Sequence, residues 1–272
     1  MHANKLSVNL SKCKYLIFKP RNITRKTNIE IKIGDTILEE VESLKFLGVI
    51  LDNKLSFKQH IEQVLKKVRS GISALKMSRN LLNYRAKLFT FNALIKPHID
   101  YCALLWHDKL NKSQTETFTR LQKRAVRYIF SAKYNSHTAQ LFKISNITPF
   151  ELIFHKESII FLKKFQNNEL PEIFNDILIH SNSMYSVEKQ RSKYKFSIKI
   201  PTQVKKGDFI YSIYSEWNKS NLEIREPSTV NKTKFILKKN QKHTLELRNC
   251  TQKKCYICSI DKFRDYLKYT KQ

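Results

Sequence analysis

Phosphoryl transfer on two metal ions needs carboxylates that hold the ions about 3.5–4 Å apart, and this sequence spreads its acidic residues widely. Its aspartates are Asp35, Asp52, Asp100, Asp108, Asp176, Asp208, Asp261 and Asp265, with no adjacent pair among them. Glu39 and Glu40 are neighbours, but successive residues of a strand point to opposite faces and cannot share an ion. No glycine-rich phosphate loop, HExxH or GxSxG motif occurs. A second group with chemical potential is Cys250, Cys255 and Cys258, with His243 upstream. Structural zinc takes four N or S ligands in short paired spacings. The Cys255–Cys258 half fits that rule and the His243 half does not; an iron–sulfur reading lacks its fourth nearby cysteine. A metal site and free thiols in a basic tail both stay open. Taken alone, these residues describe a binding body without a catalytic centre, and no cofactor is expected in it.

Positive charge is what the chain carries in quantity. Its 272 residues include 51 Lys and Arg against 23 Asp and Glu, a formal net charge of +28. Self-repulsion on that scale favours a polyanionic partner, most often nucleic acid; the bland alternative is a compositional bias toward Lys, Asn and Ile. With 41% hydrophobic and 11% aromatic residues the chain can bury a core. Scattered cysteines and no apolar leader after Met1 suggest a reducing, intracellular compartment. Apolar runs stay far below the ~20 residues a membrane span needs, so no membrane partner is expected.

Periodicity shows what must position the charges. "KYLIF" (14–18) reads as a strand, and "NIEIKIGDTILEEV" as a hairpin turning at Gly34–Asp35. "SLKFLGVIL" reads as the next strand, with Gly48 marking a bulge or a close backbone approach. From Ser56 the period turns helical, with a Ser56/Gln59 capping box and an apolar stripe of Phe57, Ile61, Val64, Leu65, Val68, Ile72 and Leu75. A second helix is expected over Asn83–Ile95, stopping at Pro97. A third opens on a Ser113/Glu116 box, with Arg120, Lys123, Arg124 and Arg127 opposite its apolar face. A fourth opens with Thr148 as cap, Pro149 at the first position and Glu151 closing the box. Beyond His180, pieces such as "KFSIKI" and "DFIYSIY" read as β-like. No internal repeat is evident.

Four stretches, in order, resemble one family: "NKLSVNLSKCKYLIF" (4–18), "ESLKFLGVILDNKLSFKQHI" (42–61), "LIKPHIDYCALLWH" (94–107) and "LQKRAVRYIF" (121–130). It is the reverse transcriptase of non-LTR retrotransposons of the LINE-type, jockey-like kind, from the end of the palm through the thumb. The resemblance spans residues 4–178. It implies that a hairpin bearing Phe46, Leu47, Gly48 and Val49 is a primer grip, holding a primer end against the palm. It implies that the helix from Ser56 is the thumb, with Lys58, Lys66, Lys67, Arg69 and Lys76 on the template–primer backbone. Arg120, Lys123, Arg124 and Arg127 form a second phosphate-facing set. Lys12 falls at a motif lysine that can protonate the departing pyrophosphate. Cys13 stands where the family usually has Thr, Phe57 where it often has Trp, and Cys102 where it often has Gly.

In that family the metal-binding aspartates lie upstream of the motif that begins here at Asn4, so the resemblance carries no catalytic residue onto this chain. Mg²⁺ belongs to the full-length enzyme, and the partner implied is an RNA/DNA template–primer duplex. The expectation is an α+β chain: a palm remnant over 1–53, a helical thumb and connection over 54–180, and a basic region over 181–272 whose folding stays open. Three readings follow: an RNA-directed DNA polymerase fragment inactive by itself, a non-enzymatic nucleic-acid-binding module, and a transposon remnant without function.

Overall fold

A computed structural model describes residues 9–19, 29–178, 196–226 and 228–246. The chain is α+β, with short strands first and helices after them. It divides into two compact units, residues 1–64 and 65–272.

Among its described residues the first unit contains three strand pairs. β1 (Lys14–Tyr15) runs parallel to β4 (Glu39–Glu40). Lys14 pairs with Glu39 at 2.7 Å and Lys19 with Glu40 at 3.1 Å, so each adjacent glutamate is committed to its own lysine. The strand expected over 14–18 pairs only at its first two residues; further on, Lys19 N–H donates to Asn53 O at 2.8 Å. β2 (Lys32–Ile33) and β3 (Thr36–Ile37) form the expected hairpin, with Gly34 at φ +59°. The single strand expected over "SLKFLGVIL" is instead two: β5 (Ser43–Phe46) and β6 (Val49–Asp52), antiparallel, with Phe46 opposite Val49. Leu47 and Gly48 turn the chain at φ +45° and +89°, the two positive values that a tight right-twisted hairpin requires. Gly48 is therefore a turn residue and not a bulge.

α1 (Lys58–Ser78) begins directly after this hairpin. The expected Ser56/Gln59 box does not form, because Gln59 Oε1 accepts from Ser43 Oγ at 3.0 Å. Asp52 takes over its work. Its carboxylate accepts from the backbone N–H of Lys54 (3.1 Å), Ser56 (3.0 Å) and Phe57 (2.7 Å), and from Ser56 Oγ (3.1 Å). Burial pushes the Asp52 carboxyl up, but these donors together outweigh burial and hold it below its ordinary value. The network also stabilises left-handed backbone at Leu55 (φ +49°) and Phe57 (φ +56°). Asp52→Ala is expected to cost about 2 kcal/mol, within the range for charge-assisted bonds and helix caps. Hydrogen exchange at the Ser56 and Phe57 amides measures it, and unchanged protection there would refute the role. Since the folded pKa is depressed, this stabilisation is present above the ordinary carboxylate pKa and is lost as pH falls through the folded one.

The second unit is helical. α2 (Tyr84–Leu94) starts where expected, with the Asn83 side chain accepting from Ala86 N–H at 2.9 Å. Gly71 of α1 lets the end of α2 approach closely: a Cβ there would lie 2.6 Å from Leu94 O and 2.9 Å from Ile95 Cγ1. α3 (Lys96–Asp100) carries Pro97 in its first turn, and Cys102 then reverses the chain into α4 (Ala103–Trp106). Cys102 sits at φ +49°, ψ +31°. That left-handed geometry gives a physical reason for glycine at this position. An L-residue there costs about 1–2 kcal/mol, against about 0.5–1 kcal/mol for glycine's extra unfolded-state freedom. Cys102→Gly is therefore expected to raise stability by about 0.5–1 kcal/mol, read as a higher urea midpoint; a lower midpoint would contradict it.

α5 (Lys112–Ile129) is capped by Asn111 and Gln114, not by the expected Ser113 and Glu116. Its inward residue Gln122 does more: Nε2 donates to Thr148 O at 2.9 Å and Oε1 accepts from Phe150 N–H at 2.7 Å. That bond ties down an amide at the start of α7 (Phe150–Gln166), where the expected Thr148/Glu151 box is absent and Pro149 takes the capping position. α6 (Ala139–Ser145) lies between α5 and α7 in sequence.

The described part of the basic C-terminal region is folded. After α8 (Ile173–Ile177) come α9 (Phe209–Lys219), α10 (Leu222–Arg225) and α11 (Val230–Glu246). "DFIYSIY", expected to be β-like, starts α9. Ile210, Ile213, Tyr214 and Trp217 recur at helical spacing, and Ile213, Tyr214 and Trp217 join Ile159, Leu162 and Phe165 of α7 in one core. Residues 196–200 form no strand. Their partner is a side chain: Asn218 bonds both the N–H and the C=O of Ile198 at 2.8 Å. Within this core Lys163 is buried; its Nζ donates to Glu226 O at 2.7 Å and lies 5.1 Å from the Trp217 ring centre. Burial lowers its pKa to about 8, with Glu226 opposing the shift.

Candidate nucleic-acid interface

In the first unit the hairpin tip is presented outward. Phe46 is 59% and Leu47 77% exposed, whereas Val49 is buried at 4%. The four residues of the resemblance thus divide: three form an exposed tip and Val49 anchors it. Two exposed lysines that the sequence reading passed over flank this hairpin, Lys45 on β5 and Lys54 after β6. The signal for Lys45 lay in strand alternation beside Phe46. Lys58 opens α1 and is exposed. Lys12 ends a short 3₁₀ turn (Leu10–Lys12), exposed, with its backbone N–H bonded to Asn9 O at 3.1 Å.

In the second unit the rest of α1 turns Val68, Ile72 and Leu75 inward and leaves Lys66, Lys67, Arg69 and Lys76 exposed. Among the described residues none of these four forms an ion pair with a carboxylate. At 100° per residue, Lys66, Arg69 and Lys76 lie within about a quarter-turn of one another, and Lys67 lies apart on the other flank. Lys66 and Lys76 are about 15 Å apart along the axis. The field of Lys67 reaches His98, whose pKa is lowered first by burial and then by that charge.

On α5, Arg120 and Arg124 are exposed and Lys123 is half-buried. Arg127 is differently placed: its Nε–H donates to Ser136 O at 3.0 Å, and its guanidinium stands 5.9 Å from the Tyr134 ring centre. It organises the loop after α5, so the basic face there rests on the other three.

No group of three His, Cys, Asp or Glu residues among the described ones could hold a metal ion. Several carboxylates are engaged internally: Asp52 on the α1 entry, Asp100 on Lys96, and Asp108 on Lys109 and Ser212. The described residues do not fit a two-metal centre. His243 lies in the last turns of α11, while Cys250, Cys255 and Cys258 fall outside the described residues. No helix of the described residues is long and apolar enough to cross a membrane.

The chain is 25% identical, over 104 residues and 37% of its length, to a probable RNA-directed DNA polymerase from transposon X-element of Drosophila melanogaster. It covers 11% of that protein. No protein-family model and no solved structure matches it.

Proposed function

We propose that this chain is a duplex-holding segment of a retrotransposon-type RNA-directed DNA polymerase, and that it binds a template–primer duplex without itself carrying out nucleotide addition. The observation that carries the proposal is the exposed set Lys66, Lys67, Arg69 and Lys76 on α1, none of it neutralised by a described carboxylate. Such cations bind phosphates without reading sequence, as a copying enzyme requires. Arg120, Lys123 and Arg124 would add a second backbone contact. The outward tip at Phe46–Gly48 suits a primer-gripping role, since an exposed apolar tip can press on the terminal sugar and base. The distant similarity to a transposon polymerase supports the same reading. Carboxylates for metal-dependent addition would come from elsewhere in a longer polymerase, and Lys12 would assist only beside them.

The test is fluorescence anisotropy with a labelled RNA–DNA hybrid across a salt series. Duplex phosphate contacts by Lys66, Arg69 and Lys76 contribute about −2.7 to the slope of log Kobs against log salt. Replacing Lys66, Arg69 and Lys76 with Gln should flatten that slope by about 2.7. A salt-independent isotherm, or a variant with the wild-type slope, would sink the proposal. Primer extension on the same hybrid with Mg²⁺ should yield no added nucleotide.

A further inference from the structure

A further basic surface lies on other helices than α1 and α5, within the second unit. A cleft of about 690 Å³ opens between α7, the α9–α10 junction and α11, and reaches α3. Six lysines line it: Lys96, Lys156, Lys164, Lys219, Lys234 and Lys238. The lining contains one carboxylate, Glu157, which pairs with Lys156 at 2.9 Å. Lys96 pairs with Asp100, and Lys219 with Glu216 at 2.7 Å. That leaves Lys164, Lys234 and Lys238 without a carboxylate among the described residues, all facing the same space.

Cations gathered around a concave site repel one another and raise the local potential for an anion. Apolar residues here, Ile160, Ile224 and Leu237, are buried, so the cleft has a packed wall behind its charges. Its volume falls in the range that takes an extended ligand, well beyond a single phosphate. Lys234 and Lys238 are one helical turn apart, about 6 Å along α11, a reach suited to successive phosphates. No Phe, Tyr or Trp lines the cleft, so it lacks the stacking platform by which single strands are held through their bases.

We infer that this cleft binds the phosphodiester backbone of a nucleic-acid strand, as a site separate from the α1 face. The inference rests on the nucleic-acid reading above and adds a further contact surface, built where the region that the sequence left open packs on α7. The strand is held through phosphates by Lys164, Lys234 and Lys238, independently of sequence.

The experiment uses the full chain and a fluorescein-labelled uridine oligonucleotide, with anisotropy read across salt. A variant carrying Lys164→Gln, Lys234→Gln and Lys238→Gln is compared with the α1 variant carrying Lys66→Gln, Arg69→Gln and Lys76→Gln. Three lost contacts should flatten the salt slope by about 2 on a single strand and weaken binding at least tenfold. The Lys→Arg counterpart at the three cleft positions should restore both, which a misfolded variant would not. If the cleft variant keeps wild-type affinity and slope while the α1 variant loses both, the cleft is not a strand site and the earlier reading stands. If the wild-type chain fails to bind any strand or hybrid, both fall.

Discussion

The chain should lose about 2.5 kcal/mol of stability between pH 7.5 and pH 4.5 through one histidine. His107 is buried, 8% exposed, with Nε2 3.4 Å from Ile99 O. Its ring stands 4.2 Å from Trp106 and 4.5 Å from Phe150, centre to centre. Burial lowers its pKa from 6.5 to about 4, with the Ile99 carbonyl opposing the shift. Below pH 6.5 the unfolded chain takes up a proton that the folded chain refuses, so stability falls with pH until about 4, at up to about 1.4 kcal/mol per unit. His98, also lowered, adds a slope of the same sign. The Asp52 loss begins at lower pH. Urea midpoints at the two pH values measure the sum, and His107→Phe isolates the histidine by removing its share. If the variant and the wild type lose equal stability on acidification, or the His107 resonances titrate near 6.5, the burial account is wrong.

The second large effect belongs to its neighbour. Trp106 is fully buried, donates its indole N–H to Tyr101 O at 3.0 Å and packs 5.7 Å from Phe118. Phe118 stacks in turn on Phe150 at 4.6 Å, with ring planes within 9°. Trp106, Phe118, Phe150 and His107 thus form a closed circuit of rings joining α4, α5 and α7. Trp106→Ala removes a large buried ring where both flanking helices are held by other contacts, so the space cannot close fully. A loss of about 4 kcal/mol is expected, a large share of the 5–15 kcal/mol that stabilises a domain. Trp106→Phe keeps a ring against Phe118 and should lose clearly less. Equal losses for the two variants would show that the indole N–H, and not the ring volume, carries the effect.

These predictions bear on the stretches that resemble a polymerase thumb. "LIKPHIDYCALLWH" and "LQKRAVRYIF" supply the core that sets α4 and α5: Ile99, Trp106, His107, Leu121, Gln122 and Ala125 are buried. Their resemblance is therefore largely a resemblance of packing. The phosphate-facing proposal rests on outward residues instead, the α1 set first, with Arg120 and Arg124 of α5 exposed beside this buried core.

Periodicity by itself determined which faces of α1 and α5 are apolar and which are basic, because burial follows the 3.6-residue repeat wherever a helix has one wet side. It also determined the Asn83 start of α2 and the turn at Gly34, since both depend on residues a few positions apart. Tertiary structure decided what depends on partners distant in sequence. Gln122 reaches across 28 residues to bond Phe150, Asn218 supplies the edge that residues 196–200 lack, and the lysines of α7 and α11 share one cleft. Even the local caps at Ser56 and Ser113 went to stronger competitors, Asp52 and Asn111. A hydrogen-bond donor takes the acceptor that the fold brings nearest, and distance along the chain does not measure that.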